Sequence, residues 1–109
     1  MMEKLFDVLW KKILIGNVFK NNNEYIFKYN RKGVEKASQI GFEYIVGFKD
    51  IDQEYISEKL FSVFTSRIPP KNRHDIDKLL NELELSEYDE IELLKKTNGK
   101  CFTDEIEVR

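Results

Sequence analysis

Apolar and polar positions alternate through the first part of the chain, in two runs that a pair of lysines separates. A period of two is typical of β-strands, so we predict one strand on each side of Lys11-Lys12, with Gly16 marking a bulge or bend. Asn21-Asn22-Asn23 then predicts a hairpin loop, because asparagine tolerates left-handed backbone geometry. The apolar positions of the two runs are Leu5, Val8, Trp10, Ile13, Ile15, Val18 and Phe19.

A third strand is predicted over residues 25–29, which are rich in aromatic and β-branched types. Its three aromatic side chains fall on one face, and Ile26 and Lys28 fall on the other. Residues 42–48 return to the same residue types and predict a further strand or an extended segment that crosses the sheet.

Helical spacing begins between Gly33 and Gly41, where we predict a short helix with these glycines at its entry and its C-terminal stop. From Tyr55 to Ile68, apolar residues recur at intervals of three and four, which predicts an amphipathic helix. Pro69-Pro70 must end that helix, because proline lacks the backbone N–H and restricts the residue before it.

Two more helices are predicted downstream. The first has leucine and isoleucine at i, i+3, i+4 and i+7, with Asn72 or Asp75 able to cap its start. The second starts at a weakened capping box, Ser86 followed by Asp89, and ends near Lys96 at the left-handed stop Asn98-Gly99. The apolar positions of the first are Ile76, Leu79, Leu80 and Leu83.

The C-terminal residues predict a closing strand that returns to the N-terminal sheet. Phe102 and residues 104–108 alternate between polar and apolar, with Ile106 and Val108 facing the same way. The element order contains no internal repeat and no linker rich in glycine and serine. We therefore predict one α+β domain over residues 1–109, with a small, mainly antiparallel sheet or partial barrel and three to four helices.

Composition narrows the classes of function. Charged residues make up 35%, but 18 Lys+Arg against 20 Asp+Glu give a net charge of -2, which argues against bulk attraction to nucleic acid or anionic membranes. The single cysteine, Cys101, favours a reducing compartment, and the N-terminus has no signal-peptide pattern. We expect a cytoplasmic protein without a membrane-spanning helix.

Catalytic chemistry has little support in the sequence. The only histidine is His74 and the only cysteine is Cys101. One of each is too few for a zinc site, and we expect any proximity of the two to be accidental and not a catalytic nucleophile–base pair. No glycine-rich phosphate-binding motif is present. We expect no cofactor, no metal and no enzyme activity, and the remaining alternative is an enzyme without a recognisable motif.

One local group is a candidate binding site. Four potentially cationic side chains surround the two prolines between predicted helices, and a rigid basic turn of this kind can dock an acidic surface or a phosphate. Alternatively, Arg67 pairs with a carboxylate of its own fold, and the rest is an ordinary charged loop. The residues we assign to partner binding are Arg67, Pro69, Lys71 and Arg73, and His74 follows them.

The aromatic strand offers a second candidate surface. Tyr25, Phe27 and Tyr29 share one face and are able to stack nucleic-acid bases, as in single-strand binding domains. The absence of net positive charge makes core packing the better interpretation.

Several phrases of the sequence resemble one family. They are Ile15-Gly16-Asn17-Val18, Tyr25-Ile26-Phe27-Lys28-Tyr29, the run from Leu60 to Pro69, and Leu93-Leu94 with Asn98-Gly99-Lys100-Cys101. Together, in this order and spacing, they resemble the N-terminal subdomain of HipA-type serine/threonine kinases and its free-standing equivalent, HipS, of three-component toxin–antitoxin systems. The chain departs from the family pattern at Thr103–Val108, where the family usually has a strand of small residues.

The resemblance implies a partner rather than a reaction. No residue matches the catalytic loop, the metal-binding aspartate or the nucleotide lysine of the kinase. The implied function is that of an accessory or antitoxin-like subunit that binds a HipA-like or HipT-like kinase, and a DNA-binding antitoxin subunit is a further candidate partner. The alternative from another class is a small nucleic-acid-binding module associated with DNA processing or defence, which salt-sensitive DNA binding would favour.

Overall fold

An open antiparallel sheet forms one layer of the protein, and helices pack on one of its faces. The computed structural model describes residues 2–101 and 104–109. Within those residues the sheet has five strands in the order β4-β3-β2-β1-β5, and it does not close into a barrel. The elements are β1 Met2–Trp10, β2 Ile13–Asn21, β3 Glu24–Tyr29, α1 Arg31–Ser38, β4 Tyr55–Ser57, α2 Ser62–Thr65, α3 Ile76–Glu82, α4 Glu90–Thr97 and β5 Ile106–Val108. The predicted α+β class with a mainly antiparallel sheet is confirmed.

Two tight hairpins build the centre of the sheet, and they include the predicted strands on both sides of Lys11-Lys12 and the predicted loop at Asn21-Asn22-Asn23. Lys11 and Lys12 both have positive φ, at 47° and 67°, and connect β1 to β2. Left-handed geometry at both turn residues matches the twist of the flanking strands. Asn22, at φ 56°, takes the same conformation in the loop between β2 and β3.

Gly16 lies beside an irregularity of the sheet, which agrees with the predicted bulge. The register between β1 and β2 shifts between Val8, which pairs with Gly16, and Leu9, which pairs with Leu14. A Cβ added to Gly16 would lie 2.7 Å from the Phe27 ring, so a larger residue would displace the core. The glycine therefore allows the aromatic strand to pack closely against β2.

The core joins one face of the sheet to the helices. Val8, Val18 and Phe27 are fully buried on the three central strands, and they pack in one cluster with Phe64 and Leu94 from the helices. The Phe27 ring stacks on Phe48 with centroids 4.4 Å apart.

The prediction of one helix from Tyr55 to Ile68 is wrong. Residues Tyr55–Ser57 instead form β4, in which Ile56 pairs with Ile26 of β3, and only Ser62–Thr65 are helical. Leu60, Phe64 and Ile68 are all buried, and their spacing of four residues therefore resembles the apolar face of a helix. Strand pairing at the sheet edge thus overrides a local pattern that fits a helix.

The segment 42–48 forms no strand, so only the extended-segment alternative remains for it. A single bridge links Ile45 to Phe48 across a turn in which Gly47 has φ 96°. Ile45 and Phe48 are buried and attach this connection to the core.

Helix starts follow local capping signals, with one correction. The Asn30 side chain accepts from the Gly33 N–H, so α1 begins before Gly33 rather than at it. Gly33 lies inside the helix. The position requires glycine because a Cβ there would be 1.6 Å from the Leu14 carbonyl oxygen. Its predicted role as the helix entry is therefore wrong. Gly41, the predicted stop, follows the end of α1 with φ 109°.

The two downstream helices form where the spacing predicts them. Asp89 accepts hydrogen bonds from the N–H groups of Ile91 and Glu92 and is therefore the N-cap of α4. The predicted capping box that begins at Ser86 is wrong, because α4 starts only at Glu90. Asn98 and Gly99 end α4 with φ 59° and 55°, as predicted. Asp75 occupies the N-cap position of α3, but its side chain makes no capping hydrogen bond.

The closing strand returns to the sheet and pairs with β1, as predicted. Val108 lies opposite Val8, and Ile106 and Val108 are both buried. Asn98 covers the outer side of β5, since its carbonyl accepts from the Val108 N–H at 2.8 Å and its amide donates to the Val108 carbonyl at 3.2 Å. The part of the predicted strand at Phe102 lies outside the described residues.

Candidate functional site

The basic group identified in the sequence lies on the connection between α2 and α3, residues 66–75, which we call the diproline turn. The turn is held to the body of the protein from inside. Ile68 is buried in the core, and the Tyr88 hydroxyl donates a hydrogen bond to the Pro69 carbonyl at 2.6 Å. The turn therefore presents its remaining side chains from a fixed backbone.

Arg67 points into the protein. Its Nη1 and Nη2 donate to the two carboxylate oxygens of Asp104 at 3.0 and 2.5 Å, while Nε donates to the Val63 carbonyl and Nη1 also to that of Gly99. The side chain is only 4% exposed. Arg67 thus joins the end of α2 to the C-terminal segment, and its guanidinium offers a partner almost no accessible surface.

This arrangement changes the pKa of the Asp104 carboxyl group. Burial alone would raise the pKa of Asp104, but the hydrogen bonds from Arg67 and from the Ile106 N–H stabilise the ionised form. The net result is a pKa below the ordinary value for aspartate. The pair is therefore ionised near neutral pH, and bidentate geometry of this type is the strong form of an Arg–carboxylate contact.

The rest of the group is accessible. Lys71, Arg73 and His74 are exposed, and Pro69 is half-buried. Arg73 pairs with Asp75 through Nε and Oδ1 at 2.5 Å, and the hydrogen bond from Arg73 holds the pKa of Asp75 below its usual value. The surface charge of the diproline turn is thus less positive than its sequence indicates.

Lys71 borders a groove of about 630 Å³ between the turn, the sheet and the start of α4. Lys20, whose ammonium lies 5.2 Å from the centre of the Tyr25 ring, forms the opposite wall. Asp89 and Glu90 contribute negative charge to the same groove. The groove is therefore of mixed charge, and within the described residues Lys71 makes no ion pair.

The aromatic strand is part of the core and not an exposed platform. Phe27 is fully buried, and the Tyr29 hydroxyl accepts from the Ile45 N–H and donates to the Phe48 carbonyl. Burial raises the pKa of Tyr29 to about 12, against the lowering effect of the Ile45 hydrogen bond. These rings have internal partners, as the core-packing interpretation predicted.

Catalytic groups are not brought together in the described parts of the chain. His74 and Cys101 are both exposed, and residues 2–101 and 104–109 contain no group of three or more His, Cys, Asp or Glu able to hold a metal ion. In the same residues, no helix is both long enough and apolar enough to cross a membrane.

Some surface features were not predicted from the sequence. Ile56 on β4 is 55% exposed, although the sequence placed it on the buried side of a helix. Ile40, Tyr44 and Val46 are also exposed, in the connection between α1 and β4. A strand-like run, Tyr55-Ile56-Ser57, was the available signal for β4, but the overlapping helical spacing concealed it.

Comparison with known proteins gives one match. A family model described as the HipA N-terminal domain matches residues 6–102, which include the second half of β1, the strands β2 to β4 and the four described helices. No curated protein and no solved structure matches the chain significantly. The matched range contains the whole diproline turn and Arg67, whereas Asp104 and β5 follow it.

Proposed function

Because the chain belongs to the HipA N-terminal domain family, we propose that it is a non-catalytic accessory or antitoxin-like subunit that binds a HipA-like or HipT-like serine/threonine kinase. The HipA N-terminal domain is itself a non-catalytic subdomain, and membership suggests a role related to toxin–antitoxin systems. The proposed site of action is the cytoplasm, since a single cysteine suits a reducing compartment.

The single observation that carries the proposal is the family match over residues 6–102. A domain of this kind can act only through differential contacts with another chain, so its effect on the kinase depends on which kinase state it binds better. We propose that it restrains the kinase by binding an inactive state, with a DNA-binding antitoxin subunit as a further component.

Within this proposal, the diproline turn is a contact surface. Pro69, Lys71 and Arg73 form its accessible part, and Arg67 acts by fixing the backbone that presents them. A rigid turn loses little conformational entropy on binding, and Lys71 is free to face a carboxylate or phosphate of the kinase. Arg73 would have to exchange Asp75 for the new acceptor.

The test is a pull-down of the tagged protein from its native cell extract, with identification of the recovered proteins by mass spectrometry. We expect a HipA-like kinase to be recovered, and its phosphorylation of a protein substrate to fall when the purified chain is added back. The charge-reversed variant Lys71→Glu/Arg73→Glu should recover at least about tenfold less kinase if the turn is at the interface.

The matched control is Lys32→Glu/Lys49→Glu, which reverses two exposed lysines that make no ion pair among the described residues. It changes net charge equally but leaves the turn intact. Equal loss of kinase in both variants would indicate a general charge effect and not a contact at the turn. Recovery of no kinase by the folded wild-type protein would refute the proposed function.

The structure gives little support to the alternative function, a small nucleic-acid-binding module. Of the three aromatic side chains that would stack bases, Phe27 is fully buried and Tyr29 is hydrogen-bonded to its own chain. Tyr25 is half-buried and lines the groove beside Lys71, which carries both signs of charge. DNA binding that weakens steeply with salt would be needed to restore it.

A further inference from the structure

The face of the sheet opposite the helices carries an apolar row that ends in solvent. Phe19, Ile26 and Ile56 are cross-strand neighbours on β2, β3 and β4. None of them belongs to the buried cluster that joins the sheet to the helices. Ile26 is only 5% exposed, whereas Ile56, at the end of the row, is 55% exposed. The row is therefore covered in its middle and uncovered at β4.

The neighbouring polar row on the same face is already satisfied within the protein. Asn17 donates to the Asp7 carboxylate at 2.6 Å, and the Lys28 ammonium lies 2.9 Å from the Glu54 carboxylate. These groups need no external partner. Of the two rows, it is therefore the Ile56 side chain on β4 that remains exposed to solvent.

The backbone of β4 is also open on its outer side. The strand pairs only with β3, and among the described residues no backbone hydrogen bond outside that pairing involves Tyr55, Ile56 or Ser57. Half of the N–H and C=O groups of such an edge strand point away from the sheet and can pair with another chain. Proteins protect an edge with lysine or proline, or by keeping the strand short; β4 contains neither lysine nor proline, and only its length of 3 residues limits pairing.

Charge indicates what kind of segment fits this edge. Residues 54, 56 and 58 alternate with the strand, so Glu54 and Glu58 flank Ile56 on one face. Glu54 pairs with Lys28, but Glu58 and the nearby Glu24 make no ion pair among the described residues. The complementary segment carries an apolar residue followed or preceded by a basic residue that reaches Glu58.

The same charges disfavour a second copy of this chain. In a symmetric antiparallel pairing of two β4 strands centred on Ile56, Glu54 of one copy would face Glu58 of the other. Like charges directly opposite each other destabilise a strand pair. The edge is therefore better suited to a different protein.

We propose that the open edge of β4 binds an extended segment of another protein, which adds a sixth strand with an apolar side chain over Ile56 and Lys or Arg beside Glu58. Main-chain hydrogen bonds would supply affinity and the flanking charges specificity. The inference deepens the proposed function, because it rests on the chain being a binding subunit and states where a partner segment would pair.

The test is an NMR titration of the protein amides with a synthetic heptapeptide, Thr-Lys-Thr-Val-Thr-Lys-Thr. We expect saturating shifts at Tyr55, Ile56 and Ser57, and binding that is about tenfold weaker for the matched peptide with glutamate in place of lysine. Glu58→Lys should reduce or reverse this preference. A peptide with methylated backbone nitrogens should not bind, because it cannot pair with the strand.

Each other outcome overturns the proposal. Absence of shifts at β4, equal affinity for the two peptides, or binding of the methylated peptide would exclude strand addition of the proposed kind. A concentration-dependent dimer that is lost in Ile56→Lys would identify the occupant as a second copy. The titration contains no kinase, so its failure and the failure of the kinase pull-down are separate results.

Discussion

The two edges of the sheet end in different ways. At β5 the chain covers its own edge, because Asn98 pairs with Val108 on the outer side and Arg67 binds Asp104 just before the strand. At β4 no described backbone group covers the outer side, and Ile56 is exposed. The difference shows that the fold covers one edge with its own residues and leaves the backbone of the other uncovered, which is the basis for the strand addition that we propose at β4.

The comparison also changes the roles that we assign to the basic residues of the diproline turn. Four residues close together in sequence were grouped as one binding site, but the structure separates the first of them from the rest. Arg67 stabilises the covered edge from inside, whereas Lys71 and Arg73 face solvent. Whether the turn contacts a partner stays a prediction.

The largest effect is expected from removing the cation at the covered edge. Arg67→Ala leaves the partly buried carboxylate of Asp104 and two carbonyls without their donor. We predict that it lowers the free energy of unfolding by about 2–4 kcal/mol. Chemical denaturation measures this loss, and Arg73→Ala is the control, with a loss below about 1 kcal/mol because its ion pair is largely exposed. Equal losses would contradict the assignment of Arg67 to the interior.

A pH series sharpens the same point. The pKa of Asp104 is lowered in the folded protein, so its ionised form contributes stability that is present above the pKa of unfolded aspartate and is lost as pH falls through the folded value. The wild type should therefore exceed Asp104→Asn in stability at pH values near neutral. The difference between the two should shrink as the solution is acidified. A difference that is independent of pH would show that charge at Asp104 is not what stabilises the edge.

A smaller effect is expected at Asn98. Asn98→Ala removes the side-chain hydrogen bond to Val108 and places alanine at φ 59°, which together should cost about 1–2 kcal/mol. Asn98→Gly retains the backbone freedom and should cost less, which separates the two contributions. The Val108 N–H donates to the main-chain carbonyl of Asn98, which both variants keep, so hydrogen exchange at the Val108 amide should be slow in the wild type and in both variants. Fast exchange of this amide in the wild type would contradict the covered edge.

The smallest effect is expected at the open edge. Ile56→Ser removes an apolar side chain that is already half exposed, so the loss should stay below about 1 kcal/mol. Ile26→Ser, at the cross-strand neighbour that is 5% exposed, should cost more than about 2 kcal/mol. Thermal unfolding of both variants measures the contrast. A large loss at Ile56 would mean that its main role is structural.

Local signals in the sequence were sufficient where the structure depends on neighbouring residues. The loop at Asn22 and the Asn98-Gly99 stop were predicted, as were strands on both sides of Lys11-Lys12, because each depends on the conformation of a few adjacent residues. The capping box that begins at Ser86 was predicted too early in the chain, since Asp89 itself is the N-cap of α4. The α+β class followed from the order of these elements.

Long-range contacts account for what the sequence could not predict. Residues 55–57 fit a helical spacing, and only pairing with β3 makes them a strand. Arg67 and Asp104 are 37 residues apart, so the pair follows from the return of β5 to the sheet and not from any local motif. For the same reason, the sequence could not separate an internal arginine from accessible basic residues in one turn.

Direct titration of the two purified proteins tests whether the chain is a binding subunit for a HipA-like kinase. We predict a one-to-one complex with a Kd below about 1 µM by calorimetry, together with slower substrate phosphorylation by the bound kinase. No heat of binding and unchanged phosphorylation, with a wild-type chain shown to be folded and a kinase shown to be active, would contradict it.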